Sequence, residues 1–126
     1  MPMSYRIDTV QKAVFLEGSG VLTDEEMIDC VRHLRGDAQL ETGMPTLSDM
    51  RAVQRLAISR RGIDEMIAVM AATDANRGAA KAAIVASEDL QFGMARMLQM
   101  KADEKVHPEF RVFREMAAAK AWIGLD

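Results

Sequence analysis

A single cysteine, Cys30, leaves this chain no internal disulfide to form, which suits a reducing compartment. Histidine is almost as scarce, with only His33 and His107. Cys30 and His33 stand at i, i+3, but two ligands are too few for zinc, so no metal is expected. No window approaches the run of about 18 apolar residues that a membrane-spanning helix needs. The first residues, Met1-Pro2-Met3-Ser4-Tyr5-Arg6, lack the apolar stretch of a signal peptide. The expected location is cytoplasmic, peripheral to a membrane at most. The glycines form no P-loop or dinucleotide pattern: Gly18-Ser19-Gly20 lacks a third glycine, and no nucleophile elbow occurs. Neither catalysis nor a cofactor is expected. A basic excess is also absent. The net charge is -3 and the pI near 5.4, which argues against a nucleic-acid binder.

What is present is an ordinary globular composition, 49% apolar and 28% charged over 126 residues. That length fits one domain, residues 1–126, with enough buried surface to need no staple. Tyr5, Ile7 and Thr9 alternate with charged residues, predicting a half-buried strand over 4–9. A tight turn at Gln11-Lys12 and a second strand over 13–17 complete a hairpin, without the Asn-Gly signal. Gly18 and Gly20 follow as conformationally free positions. Thr23-Asp24-Glu25-Glu26 is a capping box. It opens a helix over 23–35 whose apolar face is Met27, Cys30, Val31 and Leu34, with Gly36 as its C-terminal cap.

Pro45 leads into a short strand over 46–49, and residues 50–58 have no clear period. A helix beginning near Ser59 carries Ile63, Met66, Ile67 and Met70 at i, i+3, i+4 and i+7; residues 74–78 end it. Residues 81–86 form an apolar run suited to a central strand covered on both faces. Leu90, Met94, Met97 and Leu98 stripe the next helix, with Phe92 about 160° away from that stripe at 100° per residue. His107-Pro108 breaks the chain, a fifth strand spans 110–113, and a helix over 115–125 closes it. The order β-β-α-β-α-β-α-β-α predicts an α/β fold with a mostly parallel sheet.

Between Asp49 and Asp64 stand four arginines, Arg51, Arg55, Arg60 and Arg61, and no acidic residue. A helix N-terminus near Ser59 offers unpaired N–H groups and partial positive charge, and arginine adds planar bidentate donors for phosphate or carboxylate. The candidate anion site is therefore Asp49, Arg51, Arg55, Ser59, Arg60 and Arg61. The plainer alternative is a solvated basic loop, with Arg60 and Arg61 paired to Asp64 and Glu65 and Asp49 paired to Arg51. Met66, Met70, Met94 and Met97 read as core packing, or with Phe92 as an adaptable apolar cleft.

Several stretches in order resemble the small SpoIIAA-like family grouped with STAS and Sec14-type domains. They are Tyr5-Arg6-Ile7, Gly20-Val21-Leu22-Thr23-Asp24-Glu25-Glu26, Asp49-Met50-Arg51, Ala83-Ile84-Val85-Ala86-Ser87, Phe92-Gly93-Met94-Ala95-Arg96-Met97, Val112-Phe113-Arg114 and Ala118-Ala119-Lys120-Ala121-Trp122-Ile123. The resemblance implies a mixed five-stranded sheet with four helices and a non-enzymatic domain that associates with membranes or small apolar ligands. Anti-sigma-factor antagonists of this fold carry a phosphorylatable serine in an Asp-Ser-Ser-Gly-like motif at the second helix. Here Ser59-Arg60-Arg61-Gly62 stands there, with Arg60 at the phosphoserine position.

The expected function is a binding module for an anionic lipid, membrane surface or lipid-like ligand. The alternative is a regulatory protein-interaction domain with Ser59 as its phosphorylation site. A protein partner and a second copy of the chain are the other candidate partners.

Overall fold

The computed structural model describes residues 2–73, 80–104 and 109–125. The helix end expected at 74–78 and the break at His107-Pro108 lie outside them. The chain begins with an antiparallel pair, β1 (Met3–Asp8) and β2 (Ala13–Thr23). Their turn works without Asn-Gly because the Asp8 carboxylate accepts the backbone N–H groups of Val10 and Gln11, each at 2.9 Å, as Asx turns do. The bonds from Gln11 hold that carboxyl below its ordinary value. Lys12 closes the turn at φ 58°.

β2 runs six residues past the expected strand end, straight through both glycines. Gly18 admits close neighbours: a Cβ there would lie 2.5 Å from Met50 Sδ and 2.9 Å from Val53 Cγ2. Gly20 takes φ +61° beside a register shift against the next strand, the geometry of a bulge. The two glycines thus shape a strand rather than end it.

Helix α1 (Asp24–Arg35) is capped by Thr23, whose Oγ1 accepts from Glu26 N at 3.3 Å. It buries Met27, Ile28, Cys30, Val31 and Leu34. The remaining elements are β3 (Thr46–Ala57), α2 (Arg60–Ala72), β4 (Lys81–Val85), α3 (Glu88–Glu104), β5 (Glu109–Phe113) and α4 (Met116–Ile123). β3 does not stop at Asp49 as the sequence suggested. Beyond that residue it pairs with β2 alone, because β4 reaches only from Thr46 to Asp49. The distal half therefore has exposed Arg51 and Ala52 between buried Met50 and Val53, and exposed Gln54 and Arg55 after them, and this mixed pattern hides its strand character.

The sheet order is β1-β2-β3-β4-β5, with every pair after the first parallel. Right-handed crossovers that always step in one direction send their helices to one face. One core accordingly joins α1, α2 and α3 to Val14, Leu16, Leu22, Met50 and Ile84. A smaller core on the opposite face joins α4 to Leu47, Ala83 and Val85. Ala82 through Val85 are all buried, as a strand covered on both faces requires. Among the described residues no helix is long and apolar enough to cross a membrane.

Candidate functional site

The N-terminus of α2 carries no acidic residue in its first turn, yet a carboxylate sits on it. Asp24, the first residue of α1, accepts Ser59 N at 2.8 Å and Ser59 Oγ at 2.6 Å. Ser59 Oγ in turn accepts Gly62 N at 3.0 Å, which makes Ser59 the N-cap. A Cβ on Gly62 would overlap the Asp24 carboxylate, so only glycine lets the two helix starts meet this closely. The chain's own carboxylate thus occupies the position that sequence reasoning gave to an external anion. At the other end of α2, buried Arg35 of α1 donates from Nη1 to Met70 O at 3.1 Å and to Thr73 Oγ1 at 3.3 Å. The first and last residues of α1 therefore answer the two poles of its neighbour.

The four arginines do not converge. Arg51 is held bidentately by Asp49, Nε to Oδ1 at 2.9 Å and Nη2 to Oδ2 at 2.8 Å. That bond keeps the Asp49 carboxyl below its ordinary value. The pair lies mid-strand, beside Leu47 and α4, rather than at the strand end where α/β sheets bind ligands. Arg61 is exposed on the first turn of α2. Arg55 and Arg60 do share a site. They rim a groove of about 730 Å³ between the end of β3, the start of α2 and the outer side of α3. Among the described residues Arg55, Arg60 and Arg61 make no ion pair, so the expected pairing of Arg60 and Arg61 with Asp64 and Glu65 is not formed.

The groove gains a third arginine that sequence reasoning missed, Arg96, whose guanidinium lies 5.3 Å from the Phe92 ring centre. Phe92 is 69% exposed. The floor is apolar, with Leu56, Ile58, Ile63 and Met97, and among the described residues Asp89 is the one carboxylate in the lining. Gly93 lets α3 approach, since a Cβ there would stand 2.9 Å from Leu56 Cδ2. The signal for Arg96 was available: one i+4 step from the off-stripe Phe92 reaches it.

The expected apolar cleft divides in two. Met66, Met70, Met94 and Met97 are all buried. They line an interior cavity of about 80 Å³ between the sheet and helices α1 to α3, together with Met3, Met27 and Met50. Phe92 is not among its walls. Ile58 and Met97 line both the cavity and the groove.

Cys30 is buried, and burial pushes its thiol up to about 11, which leaves it protonated and unreactive at neutral pH. His33 Nδ1 lies 2.7 Å from Asp29 O, within its own helix. Among the described residues no three His, Cys, Asp or Glu side chains gather as metal ligands.

No family model matches the sequence, and no curated protein does. Among solved structures, the chain is similar to an uncharacterized protein from the DUF3478 family with a SpoIIAA-like fold from Shewanella loihica PV-4. The TM-score is 0.60 at 19% identity, over 96% of this chain and 93% of that one. The five-stranded mixed sheet with four helices is therefore a SpoIIAA-like fold.

Proposed function

We propose that the protein is a non-enzymatic binding module that engages anionic amphiphiles at a membrane surface through the groove of Arg55, Arg60, Arg96 and Phe92. The observation that carries this reading is an aromatic ring 69% exposed beside three arginines and over an apolar floor. An exposed ring beside cations is the usual pairing for interfacial binding: the ring enters the acyl boundary while the cations meet headgroup phosphates. Each juxtamembrane cation near an anionic surface contributes about 1 kcal/mol. The groove also lies at the carboxyl end of β3, the end of the strands at which open α/β sheets take their ligands. The fold itself is generally a binding or regulatory one. The lone thiol, buried and protonated, offers no nucleophile.

Flotation with vesicles tests the reading. The protein should float with phosphatidylcholine vesicles containing phosphatidylglycerol and stay behind with phosphatidylcholine alone. Arg55→Glu with Arg60→Glu and Arg96→Glu should abolish flotation, whereas Arg51→Glu, on the other side of the sheet, should not change it. Flotation that ignores lipid charge, or survives the triple reversal, overturns the proposal.

The second reading, a regulatory interaction domain switched at Ser59, is favoured by the exposure of that residue at its helix start. A phosphate there would face the Asp24 carboxylate, now 2.6 Å from the hydroxyl. It would act by prising α1 from α2. Intact mass of protein from native cells tests this reading, and an unmodified chain counts against the switch.

A further inference from the structure

The groove and the interior cavity meet at two shared residues, Ile58 and Met97. Ile58 is half-buried in the link between β3 and α2, and Met97 is 8% exposed on α3. We infer that these two side chains form a portal, and that the ligand of the groove is a single-chain anionic amphiphile, a medium-chain fatty acid anion, whose tail passes between them into the methionine-lined cavity. The inference rests on the groove being the binding site and adds the identity of what it holds.

Three observations support the choice of occupant. Among the described residues the rim carries Arg55, Arg60 and Arg96 against one carboxylate, Asp89, so a carboxylate head is complementary to it. The cavity, about 80 Å³, is about half the ~150 Å³ that holds a benzene ring, so it accepts only the end of a tail before anything moves. Seven methionines line it, and unbranched thioether side chains re-pack around irregular apolar guests more readily than branched ones. A lipid with two chains would have to bring both through one gap walled by two side chains, so it is limited to the surface groove.

Titration of decanoate into protein labelled with ¹³C at the methionine methyls tests the inference. Decanoate should shift the methyl resonances of Met66, Met94 and Met97 and leave Met116, which packs beside the α4 core on the opposite face, unmoved. Decanol, which lacks the carboxylate, should bind about tenfold more weakly. Ile58→Trp, which fills the portal, should abolish the shifts at Met66 and Met94 while flotation with anionic vesicles persists. A decanoate analogue with a nitroxide near its terminal carbon provides a check in the unaltered protein, where it should broaden Met66 and Met94. If the arginine reversals remove decanoate binding but the nitroxide spares Met66 and Met94, the portal is wrong and the groove stands. If decanoate binds the arginine-reversed protein as well as the original, the groove itself is wrong.

Discussion

Helix α2 has a different relation to each of its neighbours. Its seam with α1 is closed: Asp24 reaches Ser59 at one end, Arg35 reaches Met70 and Thr73 at the other, and Gly62 removes the side chain that would hold the helices apart. Its seam with α3 is open at the surface, leaving a groove of about 730 Å³ edged with arginine. Both seams arise from the same parallel β-α-β units. What differs is where the charges go. In the closed seam each charge meets a helix pole or a polar group of the opposite helix. In the open one three cations border one groove with an apolar floor, so like charge opposes closure.

The largest expected effect is at the buried end of the closed seam. Arg35→Ala removes a side chain 4% exposed and its hydrogen bonds to Met70 O and Thr73 Oγ1, leaving Met70 O with the bond from Thr73 N at 3.2 Å. A loss of about 3 kcal/mol is expected in chemical denaturation, from the lost hydrogen bonds of a charged donor and the space left behind. A loss under about 0.5 kcal/mol, the usual size for a surface change, would mean the seam does not depend on this residue. Next comes Gly62→Ala. In an ordinary helix interior alanine gains about 1 kcal/mol over glycine. Here the methyl must displace Asp24 from Ser59, losing hydrogen bonds to a charged group worth about 1.5–3 kcal/mol each. The sign should invert to a net loss of about 2 kcal/mol, and paired with Asp24→Ala the same substitution should become harmless. Additive effects in that double variant would refute the contact.

The smallest stability effect belongs to the open seam. Phe92→Ser should change unfolding free energy by no more than about 0.5 kcal/mol, as exposed sites do, while flotation with anionic vesicles weakens severalfold. A large drop in stability would show that Phe92 packs as core, and the contrast between the seams would dissolve.

These seams were unequally legible in the amino-acid order. Helix α1 was readable from end to end because its cap, its apolar face and its terminal glycine all lie within one short stretch. The Asp24 bridge was not, since it joins residues 35 apart and nothing local marks it. Four arginines close together in sequence suggested one site. The two register shifts of β3 against β2, between Asp49 and Ala52 and between Val53 and Arg55, and the turn into α2 instead carried Arg51 to one side of the sheet and Arg55 with Arg60 to another. The length of β3 was hidden for a related reason: a strand with one partner and one open face tolerates arginine and glutamine where a central strand does not. Phe92 was the most telling clue. A large ring set off the buried stripe needed a reason, and the groove supplies one.

The strand order 1-2-3-4-5 also bears on how the molecule is made. Each strand zips onto the one translated just before it, so a nascent chain emerging from the ribosome can add ribbons to a growing template without waiting for distant segments. The exception is the patch of Leu47, Ala83 and Val85, which stays bare until α4 has been synthesised. In that interval the newborn protein shows a greasy flank to its surroundings, and a chaperone would have its best reason to attend.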